Sequence, residues 1–213
     1  MPLSLLFCHG WGFDARFWDP LAALLPEFPH MRDDAGYFGV PARPQPPAPY
    51  LAVTHSQGTM RLLAAPPPGL AGLVAIAGFD RFTKAEDFPG TPRRVVDRMV
   101  SAVAQEPATV LADFHALFAS TVPPGSPDAE RLQAGLVALR DDDRRGEAAA
   151  LGVPILSLQA EHDTLLPLGM RETVFATADG VMRRTHPTAG HLLAREDAAW
   201  CGQAIRDFVV QLG

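Results

Sequence analysis

The sequence predicts a single α/β domain built on a mainly parallel sheet, with a helical block inserted over one end. Three observations carry this. Short apolar runs recur along the chain and amphipathic helical patterns separate them, the alternation expected of parallel βαβ units. From residue 91 to residue 145 the strand signal disappears and the periodicity becomes purely helical. The 213 residues, 47% hydrophobic and 20% charged, form an ordinary globular mixture that needs neither disulfides nor structural metal to build a core.

Each element follows in order. Leu3–Cys8 is short and apolar apart from Ser4, as expected of a strand buried on both faces, and it runs into His9-Gly10-Trp11-Gly12. Asp14 to Leu25 carries a helical pattern stopped by Pro26 and Pro29. Asp34 to Gly39 reads as a strand end or loop, and Pro41 to Pro49, with five prolines, as extended chain. Tyr50–Thr54 is the next apolar strand; His55-Ser56-Gln57-Gly58 then leads into a helix reaching Ala65, ended by Pro66-Pro67-Pro68-Gly69. Leu73–Ala77 makes a third strand before Gly78.

In the helical block, Val95, Val96, Met99, Val100 and Val103 form one apolar stripe. Val110, Leu111, Phe114, Leu117 and Phe118 form another. Ser126-Pro127 offers an N-cap and a first-turn proline for a helix carrying Leu132, Leu136 and Leu139. Strands resume at Val153–Leu158 and Val181–Thr185, and a closing helix presents Cys201, Ile205, Phe208 and Val209 on one face. The reading is one domain over residues 1–213, with residues 91–145 as an insertion.

Charge and cysteine usage narrow the function. Eighteen basic against 24 acidic residues give a net charge of −6, a poor basis for nucleic-acid binding, which needs a basic face. No apolar run reaches the ~18 residues of a membrane span. The stretch from Met1 to Cys8 has no basic side chain and breaks at His9-Gly10, unlike a secretory signal. Cys8 and Cys201 read as buried free thiols, consistent with a monomer in a reducing cytoplasm. No metal-ligand spacing, P-loop or G-x-G-x-x-G is present, so neither a metal nor another cofactor is expected.

The chemistry concentrates at three positions. Ser56 lies between a buried strand and a helix with Gly58 two residues on, the setting of a nucleophile elbow, although a helix N-cap would use the same residues. Asp163 and His191 fall in loops after later strands, at the sheet edge where α/β proteins gather their sites. The chain order Ser, Asp, His suits a triad in which Ser56 attacks, His191 moves the proton and Asp163 orients the imidazole. The main-chain N–H groups of Trp11 and Gln57 would form the oxyanion hole. His9 and His55 flank the elbow as braces of these loops.

On these motifs the chain resembles the α/β-hydrolase superfamily, and within it the pimeloyl-acyl-carrier-protein methyl ester carboxylesterases of biotin synthesis. His9-Gly10-Trp11-Gly12 is similar to that family's oxyanion loop, and Gly78 to Phe82 with Asp87 to Gly90 to the segment before its lid. Arg93–Gln105 and Thr109–Leu117 resemble the lid, and Leu132 to Arg140 the return to the sheet. Members typically read G-W-S-L/M-G-G at the elbow, where this chain has Thr54-His55-Ser56-Gln57-Gly58-Thr59, and the usual N-terminal hairpin is not expected here.

The resemblance implies a serine carboxylesterase hydrolysing the methyl ester of pimeloyl-acyl-carrier protein, without a cofactor. Trp11, Phe79, Phe82, Phe88 and Met99 would contact the acyl group. Arg93, Arg94 and Arg98 on the first lid helix would attract an acidic carrier protein. Two other readings remain: a carboxylesterase or thioesterase for another small acyl ester, and a non-catalytic ligand-binding protein on the same scaffold.

Overall fold

The computed structural model describes residues 3–213; Met1 and Pro2, the start of the expected domain, lie outside the described residues. Strands β1 (Ser4–Cys8), β2 (His30–Asp33), β3 (Tyr50–His55), β4 (Leu70–Ile76), β5 (Ile155–Ala160) and β6 (Val181–His186) form one sheet. Their order is β2-β1-β3-β4-β5-β6, and every pairing in the sheet is parallel. β1, β3 and β5 are buried along their whole length, which is why their sequences do not alternate.

A 3-10 turn at Ala15–Trp18 leads into α1 (Asp19–Ala23), and α2 (Gln57–Ala64) follows β3. Later come α3 (Arg93–Val103), α4 (Pro107–Ala116), α5 (Ala129–Asp141), α6 (Arg145–Ala149), α7 (Leu168–Thr173), α8 (Leu193–Glu196) and α9 (Ala198–Gln211). α1 packs against α8 and α9, whereas α2 packs against α6. The chain steps outward from β1 to β2, then crosses back to β3 on the other side of β1. That reversal opens a crevice between the carboxyl ends of β1 and β3, the usual ligand position in an open parallel sheet.

The structure adds one strand and corrects two local readings. His30–Asp33 is a strand, although it lacks an apolar run: it is the sheet's edge and largely solvated, so pairing with β1 suffices. The pattern from Asp14 to Leu25 is not one helix. Asp14 accepts the Arg16 N–H to cap a 3-10 turn, and Pro20 then starts a short α-helix. Ser126 does not cap α5; the Asp128 carboxylate does, accepting the Arg131 N–H at 3.0 Å. In the inserted block α3 packs on both α4 and α5. Val96, Leu111, Phe114, Leu132 and Leu136 are buried, while Val95 and Leu117 remain 41% and 64% exposed. No helix among the described residues is long and apolar enough to cross a membrane.

Candidate active site

Ser56 alone joins β3 to α2, with φ 52° and ψ −127°. A residue bearing a β-carbon is strained there. The sharp turn is tolerated because its neighbours are small. A Cβ on Gly58 would lie 2.2 Å from the Cys8 carbonyl oxygen, so α2 seats directly on the end of β1. Thr54, where the elbow motif favours glycine, is fully buried with its Oγ1 2.7 Å from Thr59 Oγ1. Space is made at another glycine: a Cβ on Gly78 would meet Thr59 Oγ1 at 2.3 Å. The Ser56 hydroxyl makes no cap hydrogen bond to α2.

It is bound elsewhere. Ser56 Oγ–H donates to His191 Nε2 at 3.1 Å, and His191 Nδ1–H donates to Asp163 Oδ2 at 2.8 Å. Asp163 Oδ1 accepts the main-chain N–H groups of Leu165 and Leu166 at 2.8 and 2.9 Å, which fixes the carboxylate from behind. Burial alone would raise the Asp163 pKa, but the neighbouring His191 and these hydrogen bonds outweigh it and hold the group below its ordinary value. His191 is carried on the loop after β6, and His55 Nε2–H donates to its carbonyl at 3.1 Å. Burial drives the pKa of His55 far down, so that ring is a neutral brace. Ser56 is 7% exposed and His191 2%, nearly dry but reachable.

The loop of residues 9–12 lies against this chain of bonds. A Cβ on Gly10 would be 3.0 Å from Ser56 Cβ and 2.9 Å from His55 Nδ1, so only glycine fits. Among the described residues neither Trp11 N–H nor Gln57 N–H meets a protein acceptor. The side chains of both residues reach the helical block. Trp11 Nε1–H donates to the Leu132 carbonyl at 2.8 Å, and Gln57 Nε2–H donates to that of Gly135 while its Oε1 accepts the Tyr37 hydroxyl. From α4, His115 Nε2–H donates to Gly12 O at 2.8 Å.

Between the helices of the block lies an apolar cavity of about 370 Å³, lined by Val96, Met99, Phe114 and Leu136 of the block and by Phe82 and Leu165 outside it, among others. Phe82 and Met99 therefore face it. Phe79 does not; it is buried with its ring 5.1 Å from that of Phe82. Phe88 is buried under the Arg145 guanidinium, 5.7 Å from the ring centre, and the Trp11 indole packs on Phe114 at 5.0 Å. Arg93 is paired with Asp141. Among the described residues Arg94 and Arg98 carry no ion pair, although both are exposed. Asp97, the nearest carboxylate in sequence, pairs instead with Arg140.

Sequence reasoning missed several contributors. Phe118 stacks on the His191 imidazole at 5.4 Å and covers it. Its place in an apolar stripe gave the only signal, and a stripe does not say which neighbour it meets. Tyr37 and the Gln57 amide carried no motif at all. No group of three or more His, Cys, Asp or Glu among the described residues is placed to hold a metal ion.

The chain is similar to two curated relatives described as pimeloyl-[acyl-carrier protein] methyl ester esterase. That of Serratia marcescens is 27% identical, covering 81% of this chain and 80% of its own length. That of Stenotrophomonas maltophilia strain K279a is also 27% identical, covering 98% of this chain and 93% of its own. Among solved structures, the esterase EaEST of Exiguobacterium antarcticum superposes with a TM-score of 0.82 at 16% identity, over 98% of this chain and 92% of that one. A bromoperoxidase from Bacillus anthracis gives the same TM-score and the same coverage of both chains at 15% identity. No family model matches the chain.

Proposed function

We propose that this chain, which has the α/β-hydrolase fold, is a serine carboxylesterase acting through Ser56, His191 and Asp163 on the methyl ester of a pimeloyl group held by acyl-carrier protein. One observation carries the chemistry: the unbroken hydrogen-bonded path from Ser56 Oγ through His191 to Asp163, with Ser56 on a positive-φ turn beside Gly10. The substrate rests on the printed names of the relatives and is supported by the apolar cavity between the helices of the block.

The steps follow from the geometry. Ser56 Oγ attacks the ester carbonyl carbon while His191 Nε2 takes its proton, and Asp163 stabilises the resulting imidazolium. Negative charge develops on the carbonyl oxygen, which Trp11 N–H and Gln57 N–H receive. His191 returns the proton to the leaving methoxide, so methanol departs and an acyl-enzyme remains. Water, deprotonated by His191, attacks the acyl carbon; Ser56 leaves with the returned proton and the free acid is released. Phe82 and Met99 hold acyl methylenes in the cavity. Arg94 and Arg98, with Arg93 contributing less because of Asp141, form the surface that attracts an acidic carrier.

The test sets methyl-pimeloyl carrier protein beside a panel of p-nitrophenyl esters, with fluorophosphonate labelling of wild type and Ser56→Ala. Preference for the carrier-bound ester and labelling lost in Ser56→Ala support the whole reading. Labelling with preference for a small ester keeps the esterase and removes the carrier. No labelling and no turnover would leave a ligand-binding protein.

A further inference from the structure

We propose that His9 is a positioning residue for ester hydrolysis: its imidazole fixes the peptide plane between Gly10 and Trp11 and thereby aims the Trp11 N–H at the oxyanion. The inference rests on the serine-esterase reading above. His9 is fully buried, and both its ring nitrogens are engaged. Nδ1 lies 2.8 Å from the Gly10 carbonyl oxygen, and Nε2 lies 3.0 Å from the Ala35 main-chain nitrogen. A carbonyl can only accept and an amide N–H can only donate. The hydrogen therefore sits on Nδ1, and Nε2 presents its lone pair to Ala35. One tautomer satisfies both contacts.

The carbonyl that His9 holds belongs to the same planar unit as the Trp11 N–H. In a trans peptide the C=O and N–H point in opposite directions, so fixing one aims the other. His9 grips the oxygen side, which leaves the N–H side facing away from the ring. That peptide also abuts the nucleophile, as the close approach of Gly10 to Ser56 shows. Beyond the peptide, the Trp11 indole is anchored on α5 through the Leu132 carbonyl, so the unit is restrained at both ends. Burial lowers the His9 pKa despite Asp34 at 3.5 Å, which keeps the ring neutral; a proton on Nε2 would oppose the Ala35 N–H.

Two substitutions at the same position separate aiming from packing. An asparagine amide places an N–H donor where Nδ1 lies, whereas a glutamine amide places its polar atoms nearer to Nε2. Loss of a whole oxyanion-hole donor costs about 10²–10³ in kcat, so a misaimed one should cost roughly tenfold. His9→Gln is expected to lower kcat by that factor with KM within about twofold. It should weaken phenylboronic acid, whose tetrahedral adduct on Ser56 fills the same hole, by a similar factor. His9→Asn is expected to recover most of both losses. Equal kcat and equal boronate affinity in the two variants would overturn the proposal. If both variants fail to fold, ¹⁵N NMR of the wild-type ring decides: hydrogen on Nδ1 supports it and hydrogen on Nε2 overturns it. Ser56→Ala tests the underlying reading separately. If that variant still hydrolyses ester, Ser56 is not the nucleophile and the serine-esterase reading falls, whereas an inactive Ser56→Ala with indistinguishable His9 variants removes His9 alone.

Discussion

The loops at the carboxyl end of the sheet and the helical block above them hold their shapes by different means. In the loops, functional side chains are fixed by main-chain groups: Leu165 and Leu166 N–H on Asp163, His55 on the His191 carbonyl, and the Cys8 carbonyl against Gly58. In the block, side chains pack on side chains around Val96, Leu111, Phe114, Leu132 and Leu136, and apolar Val95 and Leu117 stay exposed at the rim. Main-chain constraints permit little drift, which suits bond-making geometry. Side-chain packing changes with each substitution, which suits recognition. The difference teaches where to look for each property: turnover in the loops, selectivity and affinity in the block.

The largest effect that could break this comparison is loss of the proposed nucleophile. Ser56→Ala or His191→Ala should lower kcat by on the order of 10⁴-fold or more with circular dichroism unchanged, and Asp163→Asn by about 10³–10⁴-fold. Ester turnover by Ser56→Ala close to wild type would remove catalysis from the loops altogether. Gly58→Ala comes next. Its methyl would collide with the main chain of β1, so a loss of about 3 kcal/mol is expected, visible as a Tm lower by about 10 °C. An unchanged Tm would mean that the elbow can move away from β1.

Smaller effects sharpen the role of the block. Replacing Arg94 and Arg98 together with glutamate should raise KM for a carrier-bound ester about tenfold at low salt and much less at high salt, because screening weakens steering. A small soluble ester should be unaffected; equal losses on both would indicate a damaged lid. The mildest change is expected from enlarging the cavity wall. Val96→Phe or Met99→Trp should shift kcat/KM toward shorter acyl groups by about fourfold for each methylene excluded, from ~0.8 kcal/mol per buried CH₂. Val103 is buried outside the cavity lining, and its enlargement should lower Tm without altering the chain-length profile.

Much of this arrangement was legible from residue order alone. β1, β3 and β4 announce themselves because a strand covered on both faces is apolar along most of its length. Ser56, Asp163 and His191 stood out because each sits just past a strand, in triad order. β2 was not legible: His30–Asp33 needs no apolar face at a solvated sheet edge, so nothing in its composition marks it. The phenylalanines divide for a similar reason. Phe79, Phe82 and Phe88 are close in sequence and alike in chemistry, yet only Phe82 faces the cavity.

The sequence by itself determined the class of fold, the elbow and the side chains able to do acyl chemistry, because those depend on local pattern, backbone sterics and residue type. Tertiary structure decided the rest. It set Phe118 on the His191 ring, tied Gln57 to Tyr37 and Gly135, and left Arg94 and Arg98 without an ion pair among the described residues while neighbouring arginines found carboxylates. These contacts join residues 20 or more positions apart through distances of a few ångströms, and hydrogen bonding and packing fall away over such distances. A pattern along the chain records which side chains are available, but only the folded arrangement brings the partners close enough to interact.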